Sequence, residues 1–316
     1  MQPFRLVSQA IKHLRTFLEQ LNLEEIRVPN LVESGAMEPY LEPLHINSVE
    51  GHPPYVLPTS PEFALKRAMA FVPQSMNGVF AIAPAYRDET KSKLHALEFT
   101  MAEWYLRDHN YLQFSSQISD LCAILEKNLP GFQSAAKIAQ LTLREAFEIT
   151  LGLKLPPGAE SDFYKNANEK YNLGSWMNEL LPEENCSAFF FLLLDNQVLP
   201  ELQQEFDLLV LYDFPSFSRG MANLSQTGFA QRIEFYFRGI EIANGYSEMY
   251  DADEILKLWE GNNRIRKMRK VPEHKIDRSL LEFSAAMRGV AGIALGVERL
   301  IMAGCKISDI RNFQIP

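Results

Sequence analysis

The segment 232–247, "RIEFYFRGIEIANGYS", constrains the fold more than any other stretch. Two apolar runs with strand period flank Arg238-Gly239, and a glycine there admits the positive φ that a tight hairpin turn requires. With the turn at those two residues, Tyr236 lies opposite Glu241, and Glu234 falls diagonally beside Glu241 on the same face. Two carboxylates side by side repel unless a cation neutralises them, and Mg²⁺ shared with substrate phosphates is the ordinary partner of such a pair. Glu248, past Asn244-Gly245, is a candidate third acid of the same cleft. The alternative for all three is exposed strand acids solvated by water.

A second hairpin is expected from residues 78–87 and 97–107 around the polar loop "ETKSKLH". Strand alternation sets Phe99, Met101, Glu103 and Tyr105 on one face and Glu98, Thr100, Ala102 and Trp104 on the other. Arg87 stands where the first strand leaves for a loop that carries Lys91, Lys93 and His95. A planar guanidinium for bidentate phosphate contact, mobile cations and an aromatic ring for a base make up a triphosphate site, with a solvated hairpin tip as the alternative. In "GIALGVERL", 292–300, Gly292 and Gly296 permit close backbone approach to a ligand and Arg299 falls on the first turn of the next helix; packing at a crowded junction is the alternative. The chain has no GxGxxG fingerprint and no GxxxxGK[ST] loop, which disfavours a Rossmann or P-loop nucleotide site.

The remaining pattern places these motifs in one domain. Leu6, Ile11, Leu14, Phe17, Leu18 and Leu21 recur at helical spacing and predict an amphipathic helix over 5–21 that packs on a sheet. "EEIRVPNLV" predicts a short strand stopped by Pro29, and "PEFALKRAMAF" a helix with proline in its first turn. Helical patterns dominate 110–205, strands return from 207, and 252–270 is helical. Strands early and late with helices between them predict an α+β fold, an antiparallel sheet flanked by helices: a single domain over 1–316 with a mostly helical insertion at about 110–205. A hydrophobic content of 47% in 316 residues is ample for a core. The longest apolar runs, such as "AFFFLLL" at 188–194, fall short of the roughly 20 residues a membrane-spanning helix needs, and no signal-peptide pattern opens the chain, so a cytoplasmic address is expected. Cys122, Cys186 and Cys305 are far apart and are expected as small buried hydrophobes, not as a disulfide or zinc framework. A net charge of −9 weighs against an extended nucleic-acid surface. The basic run "NNRIRKMRK", 262–270, is expected on a solvated helix face, with a docking patch for an acidic partner as the alternative.

In combination the motifs carry a resemblance. "YRDE…HALEFTMAEWY", "FRGIEIANGYSEMYD" and "GIALGVERL" are similar to motif 2, the acidic strand pair and motif 3 of class II aminoacyl-tRNA synthetases of the lysyl branch. The "VPN" around Pro29 resembles motif 1, which in that class builds a dimer interface, and the similarity runs from about residue 5 to about 303. "TSPE" at 59–62, "GIEIANGYSE" and Ala294 within "GIALG" resemble most closely the elongation factor P (R)-β-lysine ligases, synthetase paralogues. The anticodon-gripping OB-fold of lysyl-tRNA synthetases is not expected, and with it no seat for tRNA.

The resemblance implies an ATP-dependent ligase that makes a lysyl or (R)-β-lysyl adenylate and passes the acyl group to a lysine of elongation factor P, with ATP and Mg²⁺ as cofactors and a homodimer as the assembly. It implies that Arg87 binds the α-phosphate and Arg299 the γ-phosphate, that Glu89 and Phe99 hold the adenine, and that Asp88, His95, Ile242 and Gly296 complete the ATP site. Glu234 and Glu241 would carry Mg²⁺. Ser60, Pro61, Glu62 and Asn244 would face the α-end of the amino acid, and Glu103, Tyr105 and Glu248 its side-chain ammonium. The sequence departs from the family at His95-Ala96-Leu97-Glu98-Phe99, where His-Asn-Pro-Glu-Phe is usual, and at Ser92-Lys93, where Gly-Arg is. Two other readings stay open: another adenylate-forming enzyme that serves tRNA, a carrier or a small amine, and a catalytically silent regulatory paralogue.

Overall fold

A computed structural model describes residues 2–35, 37–46, 54–90, 92–159, 163, 167, 170, 171 and 182–314; Lys91 and part of the 110–205 segment lie outside them. Two compact units emerge, one formed by residues 1–134 with 247–316, the other by 135–246.

In the first unit, β4 (Gly78–Tyr86) and β5 (Glu98–Arg107) form the expected hairpin, in register from Gly78↔Leu106 to Tyr86↔Glu98. β10 (Val290–Gly296) lies antiparallel on the other side of β5, and β1 (Leu23–Glu25) pairs with β4 in parallel. β1 is shorter than its sequence suggests: it stops before Val28 and Pro29, and its pairing with β4 ends at Glu25↔Phe80. Pro84 is tolerated inside β4 because β1 no longer covers that side of the strand. α1 (Pro3–Gln20) buries Leu6, Ala10, Leu14, Phe17 and Leu18 and touches β1 and β4, as its period predicts. α2 (Glu62–Met69) takes Pro61 as its N-cap, and α3 (Phe114–Asn128) buries Ile118, Leu121 and Leu125. A small hairpin joins β2 (His45–Ile46) to β3 (Tyr55–Val56).

The second unit opens with β6 (Ile138–Thr142), a strand inside the segment expected to be helical. Thr142 then caps α4 (Leu143–Leu151): its hydroxyl accepts from Glu145 N at 3.1 Å, and Glu145 accepts in return from Thr142 N at 2.8 Å. α5 (Pro182–Leu193) carries the apolar run and buries Phe189, Phe190 and Leu193, with Phe190 stacked on Phe147 at 5.6 Å. β6 pairs in parallel with β7 (Leu208–Phe214), which pairs antiparallel with β8 (Ala230–Phe237), and β8 with β9 (Ile240–Ser247). The architecture is α+β, but its strand pairing is mixed where an antiparallel sheet was expected: parallel neighbours occur at β1–β4 and β6–β7.

Two long-range features complete the first unit. α6 (Ala252–Met268) is capped by Asp251 and carries the basic run, while α7 (Arg278–Phe283) follows it. Arg264, Lys267, Arg269 and Lys270 are exposed, as expected of a solvated face, and Arg266 is the exception. Arg266 is 1% exposed and donates to Pro272 O at 2.6 Å, Leu41 O at 3.2 Å and Glu42 Oε2 at 2.7 Å. Arg269 bonds Pro39 O and lies over the Tyr40 ring, so these two arginines bind segment 39–42. α8 (Val297–Cys305) follows β10 directly. No helix among the described residues is long and apolar enough to cross a membrane. Cys122 and Cys186 are buried and Cys305 partly so, all as free thiols.

Candidate active site

The β4–β5–β10 register explains where the acids of the first unit sit. Glu103 has Ala81 on one side and Ala294 on the other, and Tyr105 has Val79 and Gly292. Small neighbours leave the large polar side chains room. Gly292 serves this end more than backbone approach to a ligand: a Cβ there would lie 2.3 Å from the Tyr105 ring and 2.5 Å from Glu248 Oε1. At Gly296 the nearest atoms belong to the stem of Arg299, at 3.6 Å.

Glu103, Tyr105 and Glu248 are all nearly inaccessible, and the structure adds a member that sequence reasoning missed. Lys66, one turn after Glu62 on α2, is 1% exposed, with Nζ 2.7 Å from Glu62 Oε1 and 2.6 Å from Glu248 Oε2. It also lies over the Tyr105 ring, 5.8 Å from the centroid. The i,i+4 spacing of Glu62 and Lys66 was readable as a helix pair; its burial was not. Tyr105 donates its hydroxyl hydrogen to Glu103 Oε1, whereas Glu103 Oε2 is buried without a hydrogen-bond partner among the described residues.

Burial shapes the protonation of this cluster. It pushes Glu103 up to about 8, with the nearby Glu62 and Glu248 charges acting in the same direction. Burial pushes Glu248 to about 7 while the Lys66 ammonium pulls it back, and Lys66 itself is raised above its usual value by Glu248 and Glu62 in spite of its own burial. At 2.6 Å from a stabilised ammonium, Glu248 gives up its proton at lower pH than Glu103. Glu103 is the acid that holds a proton. Burial, with Glu103 beside it, keeps the Tyr105 phenol protonated far above its ordinary range.

Ser60 and Pro61 lead into this cluster, Ser60 Oγ accepting from Glu62 N at 3.3 Å. The carbonyl of the preceding Thr59 accepts from Arg87 Nε at 3.3 Å. Arg87 rests over Phe99, 5.3 Å from the ring centroid, and its Nη1 is 4.0 Å from Glu89. Asp88 is exposed and anchored through its backbone to Glu42 O at 2.9 Å. His95 lies 3.6 Å from Glu89 Oε2 and shares a 2.7 Å hydrogen bond with Ser92 Oγ. Partial burial and the guanidinium charges of Arg299 and Arg87 lower the His95 pKa, with Glu89 opposing them, so the imidazole is neutral at pH 7. Arg299 Nε donates to Leu94 O at 3.3 Å. The motif 2 loop thus sits among two guanidinium groups, an imidazole and an aromatic ring.

Glu298, another residue the sequence reading passed over, ties these parts together. β10 ends at Gly296, opposite Met101, so the next donor on β5, Thr100 N, has no strand partner on that side. The Glu298 carboxylate takes its place, accepting from Thr100 N at 3.1 and 2.9 Å. This joins the residue after Phe99 to the residue before Arg299.

In the second unit the hairpin turn is as expected: Arg238 and Gly239 have φ of 46° and 80°, and Tyr236 pairs with Glu241. A bulge between Phe235 and Tyr236 shifts the register so that Glu234 pairs with Asn244. Glu241 and Asn244, three apart, therefore share the face of Glu234, and Ile242 is the extra, buried residue. Glu234 is 3% exposed; its oxygens accept from Arg232 and from the Tyr236 hydroxyl, while Asn244 Oδ1 is buried without a hydrogen-bond partner among the described residues. Burial, reinforced by the charges of Glu234 and Glu241, raises the Tyr236 pKa well above its usual value. Glu234 Oε1 accepts twice from Arg232, but Oε2 accepts only from Tyr236 and keeps a lone pair, so with Glu241 and the Asn244 amide oxygen on the same face these residues fit a hard divalent cation that takes its other ligands from phosphate and water.

The family model of the class II tRNA synthetases (D, K and N) matches residues 1–315. Among curated relatives, the elongation factor P–(R)-β-lysine ligase of Pectobacterium carotovorum is 30% identical, covering 96% of this chain and 92% of that protein. Those of Haemophilus influenzae (29%; 98% and 93%) and Mannheimia succiniciproducens (28%; 96% and 91%) bear the same name. The chain, with its buried acid cluster beside an arginine-flanked motif 2 loop, belongs to the class II tRNA synthetase family and, within it, to the elongation factor P–(R)-β-lysine ligases.

Proposed function

We propose that this chain uses ATP to convert (R)-β-lysine or lysine to its adenylate and transfers the acyl group to a lysine side chain of elongation factor P. The observation that carries the reading is the buried cluster in which Glu62, Glu103 and Glu248 surround a single lysine cation, Lys66. Such a pocket holds more acid than base, and a cationic side chain completes it. A neutral amino acid would leave Glu103 protonated and its buried Oε2 without a hydrogen-bond partner among the described residues, a cost on the order of 1–3 kcal/mol that a cation removes.

The chemistry needs position and charge more than covalent participation by the protein. The amino-acid carboxylate attacks the α-phosphorus in line and the bond to pyrophosphate breaks; an amine then takes the acyl group and AMP leaves. Arg87 neutralises the α-phosphate, exchanging its rest position over Phe99 for a phosphate contact while the ring stacks on adenine. Arg299 and the neutral His95 hold the outgoing pyrophosphate, with Glu89, Asp88, Ile242 and Gly296 lining the nucleotide. Ser60, Pro61, Glu62 and Asn244 orient the α-end of the amino acid. Mg²⁺ held by Glu234 and Glu241 supplies charge neutralisation at the phosphates when bound. A cytoplasmic homodimer that uses the segment around Pro29, where Leu31 is 53% exposed, belongs to the same reading.

ATP–pyrophosphate exchange tests it. Exchange is expected with (R)-β-lysine or lysine and not with norleucine, and Glu248→Gln loses it by at least a hundredfold while ATP still binds. Exchange with no basic amino acid would favour a silent paralogue.

A further inference from the structure

We infer that uptake of a cationic side chain by this pocket releases one proton from Glu103, and that Lys66 is the positioning residue that confines the exchange to that acid. The inference rests on the substrate reading above and goes beyond it to the proton balance of binding.

The geometry comes first. Lys66 Nζ lies 2.7 Å from Glu62 and 2.6 Å from Glu248, and its ammonium favours the carboxylate form of Glu248. Glu103 gets no such help. Its Oε1 accepts from a phenol, its Oε2 is buried with no hydrogen-bond partner among the described residues, and its cross-strand neighbours are Ala81 and Ala294. The charged or titratable groups that face it are Glu62 and Lys66 from α2, Tyr105 from its own strand and Glu248 from the segment after β9. Opposite them β10 offers Gly292 and Ala294, which have no charge. An acid with an unsatisfied oxygen, two carboxylates nearby and an apolar floor is stable as COOH; the proton it keeps at neutral pH agrees with a pKa pushed up to about 8.

An arriving ammonium reverses each of these conditions. The Glu103 O–H bond breaks, its electron pair stays on the carboxylate, the proton leaves to solvent and the ammonium takes the freed charge. Glu248, with the Lys66 ammonium 2.6 Å away, releases its proton at lower pH than Glu103 and contributes little once the pH exceeds its own value of about 7. Below the Glu103 pKa, binding that expels one proton tightens about tenfold for each unit of rising pH.

Calorimetric titration of (R)-β-lysine, and separately of lysine, into the full-length enzyme at pH 7.5, between the Glu248 and Glu103 values, in buffers of different ionisation enthalpy measures the release. The expected value is more than half a proton per ligand, with Kd falling as the pH rises from about 7 to 8. In Glu103→Gln most of the release and of the pH slope disappear. Lys66→Met lets Glu248 hold its proton too, so release rises, whereas Lys66→Arg leaves it near the wild-type value. Binding heat independent of buffer in the wild type overturns the inference and leaves the substrate reading intact. Undiminished release in Glu103→Gln also overturns it, because the proton then comes from another group. Absence of binding heat with both amino acids overturns the inference and the substrate reading together.

Discussion

At the scale of single residues, the site depends on side chains that stand in for missing partners. Glu298 replaces a strand at Thr100 N, and it can be tested apart from the phosphate ligands. Glu298→Ala removes hydrogen bonds to a charged acceptor, worth about 1.5–3 kcal/mol, so kcat/KM for ATP in pyrophosphate exchange is expected to fall roughly tenfold to a hundredfold. Glu298→Gln keeps one acceptor oxygen and should recover most of that loss; equal defects in the two variants would mean that the ladder contact does not position the nucleotide site. That Glu103 and Glu248 come together in one buried cluster, and Arg87 and Arg299 around one loop, agrees with the motif spacing in the sequence. Lys66 and Glu298 were not legible there. A lysine one turn from a glutamate reads as an exposed helix pair unless the fold buries it, and the fold does so through Glu248, 182 residues away (248 − 66).

At the scale of elements, hairpins were legible because their signals are local. The Arg238-Gly239 turn and the existence of the β4–β5 hairpin follow from strand period and turn chemistry, whereas the β4–β5 register came from the structure. β6 was missed because its five residues sit among longer helical patterns, and their parallel partner β7 begins only at Leu208. The bulge in β8–β9 was hidden for another reason: strict alternation would put Glu241 with Ala243, whereas the extra residue Ile242 puts it with Asn244. In the basic run on α6 four side chains are exposed as charge suggests, but Arg266 is buried and spends its donors on backbone carbonyls and one acid. Arg266→Ala leaves several acceptors unpaired in a buried position, and a loss on the order of 3 kcal/mol is expected. Urea denaturation checks it: a midpoint unchanged from wild type would mean that Arg266 contributes no more than its exposed neighbours.

For the molecule as a whole, composition set limits more than it made assignments. The net charge of −9 leaves little for a phosphate backbone to bind, and the guanidinium groups of Arg87 and Arg299 gather around the one motif 2 loop. In a transfer assay with labelled lysine or (R)-β-lysine, elongation factor P is expected to acquire label while tRNA added at the same concentration does not; labelled tRNA would overturn the acceptor assignment. The α+β class followed from the order of strands and helices, whereas the two parallel pairings did not, since they join strands far apart in sequence. The discontinuous first unit also bears on how the protein is made. Synthesis runs from the N-terminus, so Glu62, Lys66 and Glu103 leave the ribosome long before Glu248 and Gly292, which follow the whole of 135–246. Until then Lys66 lacks its second carboxylate and Tyr105 the strand on its far side. The nascent chain thus carries an unfinished, charged cleft through most of translation, and the amino-acid pocket closes among the last acts of folding.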